Sequence, residues 1–363
     1  MNEKGPLMMT KKRVVVIEGD DAAPEAVRPT LELLYLLNLN IEWLTPPIGD
    51  QAKQLYGTTF PEQTRQAIDE SDATFFGAAS GKSTAALFYL RFGKQTYANV
   101  RPVKWRPGFK SPLADPKGLD LVIIRENLED LYLGVEGDIK ELDPLNLTSP
   151  FTREKISDMA PGRFALKVIT EKGTARVTRF AFELARKRKQ QGRPGKVTCA
   201  TKHNMLFRSD GFFKETALKI AGSYPDIVFE SLIVDDFAHR LAANPQQFDV
   251  AVMPNLYGDI LSDMAGGLIG GLGLAPSGCY GENYAYFEPV HGTAPDIAGR
   301  HIINPTATIL SAAMMLDYLG FNPEAERIEQ AVQKVYAEGR TLPRDQGGMA
   351  TTEEFAIAVK NCL

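Results

Sequence analysis

The 363-residue chain has little of what builds zinc sites or disulfide frameworks: three cysteines and four histidines. Cys199, Cys279 and Cys362 are odd in number and scattered, which excludes a disulfide scaffold and suits a reducing, cytoplasmic compartment. No His or Cys pair stands at zinc-ligand spacing, so a metal here would be held by carboxylates. A basic excess is missing too. The 41 Lys and Arg face 45 Asp and Glu, a net charge of −4, which argues against nucleic acid as the partner. Long apolar runs are also absent. The least charged stretch, Met264 to Tyr280, is broken by glycines and Pro276 and reads as a buried, turn-rich segment. A membrane span needs about 20 predominantly apolar residues. The opening Met1 to Lys12 has no apolar signal-peptide core and reads as a frayed leader.

The composition that remains, 44% apolar and 24% charged, is that of a folded globular protein, and the length favours two lobes over one. Apolar runs and helical periodicity alternate. Strands are expected at Arg13–Glu18, Asp72–Phe76, Leu119–Ile124, Val197–Ala200, Ser231–Val234 and Phe248–Met253. Helices are expected at Glu25–Leu37, Ala175–Arg188, from Pro305 onward and at Glu326–Val335. This order predicts an α/β architecture with a mostly parallel sheet. The run Arg186-Lys187-Arg188-Lys189 reads as a solvated helix end. Pro102 to Pro107 is the interior candidate for a crossing between lobes.

Two nucleotide-like signals prove weak. Gly77-Ala78-Ala79-Ser80-Gly81-Lys82-Ser83 follows a strand, and Leu232 to Asp236 imitates an acidic strand end, as in a P-loop NTPase. The P-loop spacing is one residue short, with Phe76 where a glycine is required, so fewer backbone N–H groups could wrap a phosphate. The Gly266 to Gly273 run follows a helix-like stretch and lacks the strand–turn–helix setting of a Rossmann loop.

A stronger constellation is acidic. Asp259 and Asp263 stand at i and i+4, on one helical face between apolar flanks. The bland reading is a helix cap and a surface acid; the flanks place the pair instead at the end of a buried strand, where α/β ligand sites cluster. Asp235 could add a third oxygen, and such a set suits Mg²⁺ or Mn²⁺. Arg91, Arg101 and Arg125 supply guanidinium forks for carboxylates. With Tyr132 and Lys202 they suggest a polycarboxylate site.

At these residues the chain resembles the β-decarboxylating dehydrogenases: isocitrate, homoisocitrate and 3-isopropylmalate dehydrogenases. The motifs are Leu90-Arg91, Tyr97 to Pro102, Arg125 to Tyr132, Lys202-His203-Asn204, Asn255 to Asp263, Glu288 to Gly299, and Asn304-Pro305. The resemblance implies two lobes around a mostly parallel sheet, not a Rossmann fold. One lobe would be 1–98 with 270–363, on the cofactor side; the other, 99–269, would carry metal, catalytic and dimerisation elements. It implies that Arg91, Arg101 and Arg125 bind the malate carboxylates and that Asp235, Asp259 and Asp263 hold Mg²⁺ or Mn²⁺. Lys202 would be the general base and Tyr132 would protonate the enol carbon. Lys202 and Asp235 would come from the partner subunit, hence an obligate homodimer with shared sites, alone or paired into a tetramer. The dinucleotide would lie along Glu288, His291, Gly292, Thr293, Ala294, Asp296 and Ile297, with Asn304 near the adenine. Asp296 and Ile297 stand where NADP users carry Lys and Tyr; a carboxylate repels a 2′-phosphate, so NAD is expected.

Two departures follow. The family's Gly-Asp-Gly-Ile-Gly-Pro-Glu loop is here Gly19-Asp20-Asp21-Ala22-Ala23-Pro24-Glu25, with fewer residues that reach positive φ cheaply. The substrate-selecting segment before Arg91 is short, and Ala85 and Leu87 replace the Ser and Asn of isocitrate enzymes. Leu87 and Phe88 suit an alkyl substituent, whereas Lys82, Ser83 and Thr84 could reach toward an extra carboxylate. The wording of the Arg125–Tyr132 and Lys202–Gly211 motifs favours isocitrate or homoisocitrate, with 3-isopropylmalate, another alkylmalate, D-malate or tartrate as the alternative. A non-catalytic regulatory subunit is the reading from another class, but Tyr132, Lys202 and all three aspartates are present.

Overall fold

The computed structural model describes residues 11–363. The expected leader therefore lies outside the described residues except for its last two, and Lys12 already belongs to a strand. The strands are β1 (Lys12–Gly19), β2 (Ile41–Leu44), β3 (Ala73–Ala78), β4 (Ala98–Lys104), β5 (Asp120–Glu126) and β6 (Glu136–Asp138). They continue as β7 (Arg163–Ala165), β8 (Lys196–Thr201), β9 (Val228–Ile233), β10 (Val250–Met253), β11 (Pro276–Tyr280) and β12 (Ala285–Pro289). Ten of them form one sheet in the order β2-β1-β3-β12-β11-β4-β5-β10-β8-β9, and β6 pairs with β7 apart from it. Both flanks are parallel, as the alternating pattern predicts; only the middle, β12-β11-β4-β5, is antiparallel. No helix among the described residues is long and apolar enough to cross a membrane.

Three expectations change. Met264–Tyr280 holds a helix end, a short turn and then β11, a buried strand of the sheet. Pro102 is no inter-lobe linker: it lies in β4 opposite Val122 of β5. β11 pairs β4 only over Ala98 to Val100, so Pro102 sits past that ladder, where its missing N–H costs nothing. The basic end of the helix Glu171–Gln190 is not wholly solvated: Arg188 donates to the fully buried Asp249 at 2.7 Å and to Asp120 at 3.1 Å.

The core is layered on the sheet. One cluster of buried residues runs from Val14 and Phe75 through Met253 to Ile309 and Val332, spanning both proposed lobes. A second, with Val122, Val177, Phe182, Phe213 and Val252, lies under helices of the middle segment. A third, with Ile17, Phe76, Leu90 and Tyr286, supports the segment that carries Arg91.

Candidate active site

The helix Asn255–Leu268 starts two residues after β10 and packs across β5. The approach is close: a Cβ on Gly258 would stand 2.6 Å from Cβ of Arg125, so only glycine fits there. One turn of that helix aims Asp259 and Asp263 at the arginines of β4 and β5. Arg101, only 8% exposed, donates to Asp263 and to Ser262, each at 2.7 Å, and lies 3.4 Å from Asp259. Arg125 donates to Asn255 at 2.7 Å and to one oxygen of Asp259. The Tyr132 hydroxyl donates to the other Asp259 oxygen, and the Arg125 guanidinium carbon sits 4.7 Å from the Tyr132 ring centroid.

Arg91 follows on a π turn, Tyr89–Gly93, a distortion common at functional sites, and its buried Nε has no partner. The half-buried Glu288 carboxyl feels these groups: desolvation raises its pKa, while the charges of Arg91, Arg101 and Arg125 act to lower it. Burial, with help from Arg101, pushes Arg125 down to about 10. Burial first, then the bond to Asp259, holds the Tyr132 phenol above its ordinary range. Burial likewise raises Asp263.

Lys202 and Asp235 stand elsewhere. Lys202 Nζ meets Asp235 at 2.7 Å, with side chains 31% and 66% exposed. The Lys202 hydrogen bond lowers the Asp235 pKa. Asp235 belongs to the first turn of the helix Val234–Ala243, not to a strand end, because β9 stops at Ile233. Among the described residues no three His, Cys, Asp or Glu side chains gather as a metal-binding group, so one chain does not unite Asp235 with Asp259 and Asp263. Two paired carboxylates on one face and a third exposed on another are hard oxygen donors of the kind a divalent cation takes.

The segment Glu288 to Asn304 forms a loop anchored to the first loop. Ala22 N–H donates to Thr293 O at 3.0 Å, and Glu25 accepts from the N–H of Gly299 and His301 at 2.6 and 2.7 Å. Hydrogen bonds from Thr293 and Ser80 lower the Asp21 pKa. One of the two lost glycines is replaced in function: Asp21 takes a φ of 54°, a left-handed conformation that Asp tolerates, while Ala23 simply starts the following helix. His291 Nδ1 lies 2.8 Å from Gly292 O, while its buried Nε2 has no partner, and burial lowers its pKa. Ala294 takes a φ of 49°; Gly292 and Asp296 are exposed, and Ile297 is half-buried. Asn304 donates to Asp345 at 3.0 Å and to Tyr336 at 3.4 Å. An open loop with an unspent imidazole nitrogen and a free carboxylate suits a dinucleotide with unmodified ribose.

Before Arg91, Thr84, Leu87 and Phe88 share one face of the helix Thr84–Phe88, with Leu87 half-buried and Phe88 53% exposed. Lys82 turns instead to Asp50 at 2.5 Å on the surface, and Ser83 is buried against Asp20 at 3.0 Å. Asp20 also accepts the N–H groups of Ser80 and Ser83, at 2.7 and 3.0 Å. The glycine-rich loop thus wraps a carboxylate of its own chain, which removes the P-loop reading. Sequence reasoning quoted Glu25, Asn99, Asn255 and Ser262 within motifs without giving them a task, and it missed Asp345 and Tyr336. Their signal was positional, each lying within hydrogen-bond reach of a residue already singled out.

A family profile described as isocitrate/isopropylmalate dehydrogenase matches residues 13–359. The chain is 44% identical over 347 residues to the 3-isopropylmalate/3-methylmalate dehydrogenase of Methanocaldococcus jannaschii, covering 96% of this chain and 97% of that one. It is 43% identical over 358 residues to the isocitrate/homoisocitrate dehydrogenase of Thermus thermophilus, covering 97% and 98%. A solved isocitrate dehydrogenase from Methylococcus capsulatus superimposes with a TM-score of 0.84 at 36% identity, over 97% of this chain and 99% of that one.

Proposed function

The chain belongs to the isocitrate/isopropylmalate dehydrogenase family of oxidative decarboxylating enzymes, and from that premise we propose that it acts on a (2R,3S)-3-substituted malate with NAD and Mg²⁺ or Mn²⁺. The observation that carries this reading is the Asp259 carboxylate, which gathers Arg101, Arg125 and Tyr132. Arg91, Arg101 and Arg125 would bind the malate carboxylates, the forks of Arg101 and Arg125 already oriented by Asn99, Ser262 and Asn255. Asp259 and Asp263, with Asp235 of a second copy, would hold the cation; Glu288 to Ile297 and Asn304 would hold the dinucleotide. When bound, the cation polarises the substrate hydroxyl and steadies the enolate charge, and the dinucleotide accepts the hydride. Lys202 takes the hydroxyl proton as general base. After the β-carboxylate leaves as CO2, Tyr132 gives its proton to the enol carbon. Its raised pKa keeps that proton in place at neutral pH.

The exposed Lys202–Asp235 pair supports a homodimer with shared sites, as do the exposed Leu145, Leu147 and Phe151 in the connection between β6 and β7. We assign residues 1–98 and 270–363, of which 1–10 lie outside the described residues, to the cofactor-side lobe and 99–269 to the other; the second buried cluster, drawn almost wholly from the middle segment, supports that division. Free Cys199 and Cys279 accord with a reducing, cytoplasmic setting.

For the substituent, the face of Leu87 and Phe88 supports an alkylmalate, since Lys82 and Ser83 are engaged by Asp50 and Asp20. A tricarboxylate is the second reading: the Lys82–Asp50 pair is exposed and easily exchanged, and the Arg125–Tyr132 motif is worded like the isocitrate branch. NAD and NADP reduction with Mg²⁺ on isocitrate, homoisocitrate, 3-isopropylmalate, D-malate and tartrate decides. NAD-linked turnover of one of them is expected; turnover of none overturns the enzyme reading in favour of a regulatory subunit.

A further inference from the structure

Beside the site lies a buried ion cluster that none of the roles above uses. Asp130 and Asp210 are both fully buried, and one cation, Lys167, serves both. Lys167 Nζ stands 2.7 Å from Asp210 Oδ1 and 3.5 Å from Asp130 Oδ1, with its side chain 15% exposed. It also donates to Tyr257 Oη at 3.3 Å, its nitrogen 4.4 Å from that ring's centroid.

The second oxygen of each aspartate is spent on backbone. Asp210 Oδ2 accepts the N–H of Lys202 at 2.7 Å. Asp130 Oδ2 accepts the N–H of Leu256 at 3.0 Å, in the first turn of the helix that carries Asp259 and Asp263. Asp130 takes a φ of 68°, which needs holding, and its own N–H donates to Val168 O at 2.9 Å, next to Lys167. Tyr132 lies two residues further on. Three chain segments, bearing Tyr132, Lys202 and the Asp259 helix, therefore meet through one ammonium group.

We propose that Lys167 is a positioning residue that fixes the Tyr132 turn and the Lys202 turn against the Asp259–Asp263 helix. Without its charge the two buried carboxylates repel each other and seek water, and each pulls on the backbone N–H it holds. In the dimer inferred above, Lys202 and Tyr132 of one chain serve different sites, so this ammonium would also join the two sites. The proposal rests on the roles assigned to Tyr132 and Lys202 under the functional reading.

The test compares full-length Lys167→Met, Lys167→Gln and Lys167→Arg. In whichever neutral variant folds, kcat should fall about 10²-fold while KM for hydroxy acid and dinucleotide stays within about threefold, and Lys167→Arg should recover about half the loss on a logarithmic scale. Amide hydrogen exchange should accelerate in both 128–132 and 202–206 and stay unchanged in β1. Exchange that rises in only one segment, rises equally in β1, or does not rise overturns the proposal, as does unchanged kcat in an active protein. If the unmodified protein turns over no substrate, the functional reading fails, and the exchange pattern still decides the role of Lys167.

Discussion

Asp259 is held by Arg101, Arg125 and Tyr132, whereas among the described residues Asp235 has one side-chain partner, Lys202, on a surface where its own side chain is 66% exposed. The first arrangement is preorganised: the Arg125 side chain is 2% exposed, and its Nε and Nη1 donate to Asn255 and Asp259. The second is a solvent-screened ion pair, which by itself fixes little. The contrast teaches how the labour is divided. The buried corner is held within one chain, and under the proposed dimer the exposed corner would be finished against a second copy.

The sharpest way to break that comparison is to disable each corner separately. Tyr132→Phe and Lys202→Met should each lower turnover by about 10³-fold, with dinucleotide binding measured by calorimetry nearly unchanged. Near-normal activity in either would remove that residue from the mechanism. If the corners meet across a two-fold interface, mixing the two inactive variants under exchange conditions should restore about a quarter of the unmodified activity, because half the molecules then carry one intact site. A mixture that stays inactive would place both residues in one chain's site.

A smaller effect comes from burial near Arg125. Burial pushes the Glu126 carboxyl up to about 7, against the pull of the N–H groups of Leu128 and Glu129. A raised carboxyl pKa means the folded chain binds the extra proton between about 4.5 and 7, so stability falls as pH rises through that window. Glu126→Gln should flatten this dependence and gain up to about 3 kcal/mol above it, read from denaturant unfolding across pH. An unchanged pH slope would show that another group carries it. The smallest effect on stability is expected at the exposed corner. Asp235→Asn should leave the Tm within about one degree while abolishing most turnover, since a solvated pair adds little stability. A large drop in Tm would make Asp235 structural.

Much of this was legible from spacing alone. Asp259 and Asp263 share a face because a helix repeats every 3.6 residues, and Val250 to Met253 could only be a buried strand feeding it. The middle of the sheet was not legible. β11 reads Pro276-Ser277-Gly278-Cys279-Tyr280, a turn-like composition that becomes a strand only because β4 and β12 flank it. Asp21 could not be seen to replace a glycine, since its φ depends on Ser80 and Thr293 across the loop. Nor could Lys82 be oriented: whether it reaches inward or to Asp50 is decided by the helix Gly49–Tyr56, far away in sequence.

Asp20 has a consequence of its own. By filling the nest of N–H groups at Ser80 and Ser83, it acts as a permanently tethered competitor, at an effective concentration no dissolved phosphate matches. The loop is thus an anion receptor that carries its own inhibitor. A chain with alanine at that one position would present vacant donors beside the Glu288–Asn304 loop, and ordinary buffer anions would then become ligands.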